Sequence, residues 1–403
     1  MSKTFTWERG PFSECPMCGK ETFGFLSAGG DRMTLRCSDC RYSERENLPK
    51  LNKKVIYLDQ NILSYIFQVH SGGKLPLGHE DYFLELYEIL RKLVLLQQIV
   101  IPHSDIHHSE TIVFREAVAL REAYEFLGGD ISFVDSRTLE LEQIGDAAEG
   151  FMKSEPVNFR LEPTDSLTRE LNQWLDHLHI TVKMDYGHFA EGIRAERERT
   201  HASMQGLVAQ WAERSLSFEE MLKAEMNAFS TCRVEALQTA MERHSAASSD
   251  SAGLSSFAHS WIFLELDMLE SIFRDGGATE EQIPETIRAF WNWQGNWQVP
   301  SVKISSYLFA ALGRRVVAGQ KKVTRGFMND VRAISSYAPY VDAMFVDKEC
   351  AALLSEAPLS SELNYRAEIH SLNEPIAFLD YLKVIEGNTP NDVREYAGRI
   401  YGI

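Results

Sequence analysis

KVIYLDQNILSYI, residues 54–66, is the stretch whose reading decides the fold. Val55 to Leu58 is a short apolar run rich in β-formers, of the kind that makes a strand buried on both faces. Asp59 stands at its carboxyl end, and Gln60–Asn61 opens an amphipathic segment that reads as helix. In an open parallel α/β sheet, ligands bind outside the carboxyl ends of the strands. An acid at that point is either a metal ligand or a helix cap, and this stretch alone leaves both readings open.

The same alternation continues on both sides. An amphipathic helix is expected over 80–96, and a second strand over 98–102 (QIVIP), running into HSDIHHSE at 103–110. A helix over 110–127 ends at Gly128-Gly129, and a third strand follows at 131–134. The pattern resumes with a helix over 301–320 and another capped by Asn329 or Asp330. A buried strand at 343–346 (AMFV) then delivers Asp347, followed by a helix over 348–354, a fifth strand over 367–372 and a closing helix over 374–385. This order predicts an α/β fold: a parallel sheet of about five strands sandwiched by helices. Residues 137–300 interrupt it with helical spacings (Leu222, Met226 and Phe229) and a Ser/Ala-rich break at 245–256. No period recurs, so the block reads as a large helical insertion that offers a surface for a protein partner or for self-association. The expected organisation is a unit at 1–50, the first part of the sheet domain at 51–136, the insertion at 137–300 and the second part at 301–403.

Residues 1–50 hold Cys15-Pro-Met-Cys18 and Cys37-Ser-Asp-Cys40, two C-x-x-C pairs with a hairpin pattern between them (Phe23, Phe25, Met33 and Leu35 around Gly-Gly). Four thiolates at this spacing suit a tetrahedral zinc, and the unit resembles a small zinc ribbon whose fold the metal stabilises. Its arginines (Arg32, Arg36, Arg41 and Arg45) read equally well as a solvated face or as phosphate contacts. The 403-residue chain has an ordinary globular composition and a net charge of −17, which argues against coating nucleic acid by bulk attraction. A nuclease stays compatible, because its acids bind cations and its basic contacts are local. No apolar run is long enough to span a bilayer, so no membrane partner is expected. MSKTFTWERG at the start has no signal-peptide pattern, and the paired cysteines suit a reducing compartment, so the expected location is cytoplasmic.

Two strand ends carry an acid, Asp59 and Asp347, while Asp330 stands at a helix start and Glu110 on the helix after QIVIP. Carboxylates converging on one sheet edge repel one another unless a divalent cation neutralises them. Hard oxygen ligands suit Mg²⁺ or Mn²⁺, which activates water and stabilises charge on a phosphate. Asp105 and Asp135 are the alternatives to Glu110.

YLDQNILS resembles the opening motif of the PIN-domain nucleases, in which an Asp closes the first strand and an Asn two residues later steadies it. NDVRAISSYAPYVDAMFVDKECAALL is similar to that family's C-terminal motif, an Asp on a helix followed by a strand with one Asp before it and one after. The resemblance covers about 55–135 and 301–385. It implies a PIN-like sheet and a metal-dependent nuclease, a phosphodiester hydrolase leaving a 5′-phosphate and a 3′-hydroxyl, with RNA preferred over DNA. Carried over, Asp59, Glu110, Asp330 and Asp347 would bind Mg²⁺ or Mn²⁺, Asp342 would be an additional or outer ligand, and Asn61 would orient Asp59. A toxin or phage-defence effector is the biological role this combination suggests. The competing reading is a catalytically inactive PIN-like nucleic-acid-binding or scaffold protein.

Other features are weighed beside these. His103 and His107, four apart, offer a transition-metal pair and with it a non-nuclease metal hydrolase. Without a third soft ligand nearby, contact of His107 with the carboxylates or a loop backbone is preferred. Residues 301–325 carry Lys303, Arg314, Arg315, Lys321, Lys322 and Arg325 with no acid, a local excess suited to substrate phosphates or to a solvated helix face. Trp291, Trp293 and Trp297 read as packing rather than base stacking, and Cys232 and Cys350 as buried thiols.

Overall fold

A computed structural model describes residues 12–112, 126–175, 190–246, 261–320 and 323–403. The chain opens with four antiparallel strands, β1 (Ser13–Glu14), β2 (Glu21–Gly29), β3 (Arg32–Cys37) and β4 (Ser43–Asn47), in that spatial order. The β2–β3 turn passes through Gly30 at φ +60°, a conformation open to glycine at little cost. Met33, Leu35 and Cys37 alternate inward along β3, and Arg32, Thr34 and Arg36 alternate outward. The inward set packs on Leu96, Trp174 and the last helix of the chain through Val393, Ala397 and Ile400. Arg399 of that helix grips Glu46 with two bonds of 2.8 and 2.7 Å.

The second sheet begins with β5 (Lys54–Leu58), followed by α1 (Gln60–Ser71), α2 (Glu80–Leu95), β6 (Ile99–Val100) and α3 (Asp105–Ile112). The helical block contributes α4 (Ser136–Lys153), α5 (Ala190–Arg214), α6 (Phe218–Ala246), α7 (Trp261–Asp275) and α8 (Ile283–Trp291). Then come α9 (Pro300–Val317), α10 (Phe327–Tyr337), β7 (Ala343–Phe345), α11 (Lys348–Ser355), α12 (Leu359–Glu362), β8 (Glu368–His370), α13 (Pro375–Gly387) and α14 (Asn391–Tyr401). The strands pair in parallel in the order β6-β5-β7-β8.

The period of two along β5 divides the core as a doubly covered strand requires. Ile56 and Leu58 enter a core with α1, α2 and α13, while Val55 and Tyr57 enter one built with α9 and α10. The helical block is no detached lobe. Met204, Val208, Trp211 and Met221 join the second core against Ile304, Leu308 and Leu312 of α9, and α4, α7 and α8 share a core of their own. Leu222, Met226 and Phe229 lie on one helix, the last two buried. Trp291, Trp293 and Trp297 pack internally, as expected.

Several expectations are corrected. The sheet has four strands among the described residues, because 131–134 makes only single bridges, Ser132 to His103 and Phe133 to Leu167. The helix expected at 110–127 begins at Asp105, and 113–125 lie outside the described residues. Helix α10 starts at Phe327 with Gly326 as its cap, so Asn329 and Asp330 sit inside the first turn. The helix expected to close the chain is followed by α14. Cys350 is buried, but Cys232 is exposed. The break at 245–256 falls almost wholly outside the described residues, as do Lys321 and Lys322.

Candidate functional site

Parallel pairing of Leu58 with Phe345 brings the carboxyl ends of β5 and β7 side by side. The Asp59 amide donates to the Phe345 carbonyl (2.9 Å), which holds Asp59 against the segment leading to Asp347. Asp59 occupies the cap position of α1 without the usual side-chain capping bond; its carboxylate is held by the Gln60 amide and by Asn61 Nδ2, which donates to it at 3.1 Å. Asp347 does cap α11, accepting from the Cys350 amide at 2.6 Å, which leaves its other oxygen free of that bond. Asp330 reaches the same edge from α10, and ligand atoms of Asp330, Asp347 and Cys350 lie within 4.8 Å of one another.

Glu110 completes the cluster from α3. Asn329 Nδ2 donates to its Oε1 at 2.7 Å, and Arg197 of α5 pairs with the same oxygen at 3.2 Å. The electrostatics record the crowding. Burial, then the charges of Glu110 and Asp347, push the Asp59 carboxyl up to about 6. Burial, then Asp59, Asp347 and Glu110, push Asp330 up to about 9. Burial also raises Glu110, against the opposing pull of Asn329 and Arg197. Among the described residues, no lysine or arginine pairs with Asp59, Asp330 or Asp347. Asp330, Asp347 and the Cys350 thiol are close enough to share a metal ion, and Asp59 and Glu110 stand beside them as electrostatically coupled, half-buried carboxylates.

The competing acids are accounted for by the protein itself. Asp105 accepts from Ser136 Oγ (2.8 Å) and Tyr337 Oη (2.8 Å) and pairs with Arg332 (3.1 Å). Asp135 caps α4, accepting from the Arg137 and Thr138 amides. Asp342, expected as an outer ligand, lies at the other end of β7. It accepts from the Val55 amide (2.9 Å) and pairs with Lys54 and Arg366 at 3.0 Å each. His107 is buried against Tyr57, its Nδ1 accepting from the Ser104 amide (3.1 Å) and its Nε2 donating to the Leu58 carbonyl (2.8 Å). With both ring nitrogens engaged and its pKa lowered by burial to about 4, His107 is a neutral strut for β5 and no metal ligand.

The basic segment is also redistributed. Arg314 and Arg315 both pair with Glu356, and Arg314 also donates to the Ala357 carbonyl, so these two arginines fasten α9 to the end of α11. Arg325 pairs with Glu198 of α5 and lines a cleft of about 700 Å³. Arg137, Arg197, Arg233 and Arg332 line the same cleft, and Asn329 and Arg197 connect it to Glu110. Sequence reasoning missed Asn329, Arg197 and this cleft. The adjacency of Asn329 to Asp330 was the available signal for the first; the arginines are spread over four helices and a loop.

At the opposite end of the chain, Cys15, Cys18, Cys37 and Cys40 converge with all four sulfurs within 4.8 Å. Sγ atoms of Cys15 and Cys40 are 3.5 Å apart, and those of Cys18 and Cys37 are 3.7 Å apart. The Thr22 hydroxyl, 3.2 Å from Cys37, helps hold that thiol at about 6. This group can hold a metal ion.

No protein-family model, curated protein or solved structure matches the chain. The functional reading therefore rests on the side chains. Among the described residues, no helix is long and apolar enough to cross a membrane.

Proposed function

We propose that the protein is a metal-dependent nuclease with a PIN-like sheet domain, hydrolysing phosphodiester bonds in RNA in preference to DNA. The observation that carries this reading is the approach of Asp330 to Asp347 at the carboxyl edge of β5 and β7, with Asp59 and Glu110 electrostatically coupled to them and no basic partner on Asp59, Asp330 or Asp347 among the described residues. A divalent Mg²⁺ or Mn²⁺ bound there would supply a water acidic enough to attack and a positive charge beside the phosphate. Asp59, Asp330 and Asp347 would hold that ion, with Glu110 closing the set. Asn61 fixes the rotamer of Asp59, and Asn329 with Arg197 fixes Glu110. In this reading Arg325, which lines the adjoining cleft, would contact phosphates of a bound strand. At the four cysteines we propose a structural Zn²⁺, since tetrahedral Zn–S bonds of about 2.3 Å give S···S edges of about 3.8 Å, close to the 3.5 and 3.7 Å separations found.

The test is incubation of the purified full-length protein with labelled RNA and DNA panels, with Mn²⁺ and with chelator. Cleavage is expected only with the metal, faster on RNA, and reduced by about 10²-fold or more in Asp59→Asn and in Asp330→Asn, the scale on which loss of one electrostatic stabiliser acts. Degradation that persists unchanged in both variants comes from a contaminant and removes the assignment.

A further inference from the structure

The cleft of about 700 Å³ lies between α10 and the helices α4, α5, α6 and α9, a volume typical of small-ligand pockets. Five guanidinium groups reach it, in a chain of net charge −17. Most are paired with a carboxylate: Arg137 with Glu140, which lines the cleft beside Glu225, Arg233 with Glu265 at 2.6 Å, Arg332 with Asp105 and, on the exposed rim, Arg325 with Glu198. Arg233 lies over the Phe229 ring and Arg137 over the Trp261 ring, at 3.5 and 3.9 Å from the ring centres. These heads are therefore pre-positioned.

Part of their donor capacity is unspent. Arg233 is only 4 % exposed and Ser301 only 6 %, yet Nη2 of the first and Oγ of the second have no hydrogen-bond partner. That Nη2 is ion-paired with Glu140 at 3.6 Å, beyond hydrogen-bond distance. Arg137 Nε is likewise unmatched. Buried donors are costly to leave unmatched, and both residues line the cleft, so an acceptor-rich ligand there would remove the penalty. Planar guanidinium forks match phosphate oxygens two at a time. Phe309 and Met328, half-buried, add an apolar wall suited to a base.

We propose that this cleft binds a nucleoside phosphate, with Arg137 and Arg233 on the phosphate and the Phe309–Met328 wall on the base. Such a ligand is either a free mononucleotide or the terminal nucleotide of a single strand. The site requires no cleavage chemistry. Its shared residues, Asn329 and Arg197, would place the bound phosphate next to Glu110.

The experiment is calorimetric binding to the full-length protein in chelator, with the Asp330→Asn variant in parallel. The probes are the four ribonucleoside 5′-monophosphates, the matching unphosphorylated nucleosides, and a six-nucleotide single strand with and without a 5′-phosphate. Phosphorylated probes are expected to bind at least tenfold more tightly than their unphosphorylated forms. Arg137→Gln and Ser301→Ala are each expected to weaken that binding about tenfold or less, while Arg45→Gln on the distant ribbon leaves it unchanged. Ser301→Ala removes only an unpartnered hydroxyl, so it keeps the fold if Arg137→Gln does not. Tight binding of the monophosphates assigns a free-nucleotide site, and binding confined to the phosphorylated strand assigns an end-recognition site. Equal affinity with and without phosphate, or affinity unchanged in both cleft variants, overturns the proposal. Because no metal is present and no bond is cut, that result leaves the nuclease reading standing, and loss of the nuclease reading leaves this one standing.

Discussion

Asp342 and Asp347 bracket strand β7, about 16 Å apart at 3.3 Å per residue, and the two ends of this strand treat a carboxylate in opposite ways. At the amino end the protein supplies what an anion needs: two cationic side chains and a backbone amide within about 3 Å of Asp342. At the carboxyl end it does the reverse, bringing Asp347 together with Asp330, Asp59 and Glu110 and raising the pKa of three of them. An acid whose counter-charge is built in serves the fold. Acids gathered without one either hold a proton, as the raised values of Asp59 and Asp330 record, or take up an external cation in its place. Asp105 belongs with Asp342 in this respect, and Glu110, steadied by one arginine, stands between the two types.

Metal binding should separate the two ends most strongly. A cation that binds the folded chain alone raises stability by about 2.7 kcal/mol at a hundredfold excess over its dissociation constant. Thermal unfolding with and without Mn²⁺ should show this upward shift in the wild type and in Asp342→Asn, and lose it in Asp330→Asn. A shift retained in Asp330→Asn would remove the contrast. The next effect runs the other way. Asp342→Asn keeps the shape of the side chain but discharges the pairs to Lys54 and Arg366, and charge-assisted bonds of this kind are worth about 2 kcal/mol. Lys54 is itself 42 % exposed, which holds the loss to that order. Denaturant midpoints of the two metal-free variants at neutral pH check it: Asp342→Asn should be destabilised, and Asp330→Asn should be as stable as the wild type or more so, because the amide needs no proton to be buried where the carboxyl, raised to about 9, must take one up on folding.

Much of the carboxyl end was legible in the chain because its residues obey local rules. Val55 to Leu58 announces a doubly buried strand, Asp59 its end, Asn61 a partner two residues on, and AMFV repeats the device before Asp347. What sequence could not supply was the other half of each interaction. Asp342 and Asp347 look alike as acids flanking one strand; the cations that set Asp342 apart are 288 residues before it and 24 after it. Arg314 and Arg315 drew attention as a basic run, yet their partner Glu356 lies just past the end of α11, about forty residues on. Conversely, the arginines that do line a cleft are spread from 137 to 332, so no window of sequence shows them together. Cys232 reads as an apolar residue by type, but it neighbours the inward Arg233 on α6 and faces outward.

The smallest effect tests how the metal-free cluster is tuned. Asn61 is exposed and touches the site through one 3.1 Å bond to Asp59, which favours the charged carboxylate and so opposes the rise to about 6. Asn61→Ala removes that bond and lets the Asp59 pKa climb further. One hydrogen bond is worth about 1 kcal/mol and one pKa unit 1.36 kcal/mol, so the climb should be about half a unit to one unit. A proton on Asp59 competes with the cation, so the pH at which Mn²⁺ binding is half-developed should move upward by a similar amount. Affinity should fall a few-fold near pH 6, where Asp59 is the group titrating, and converge with the wild type at higher pH, where its carboxylate is charged in both proteins. Mn²⁺ titrations at several pH values give the two curves. A loss of equal size at every pH would mean that Asn61 holds the ion or the backbone directly, and would move it from tuning Asp59 to binding beside it.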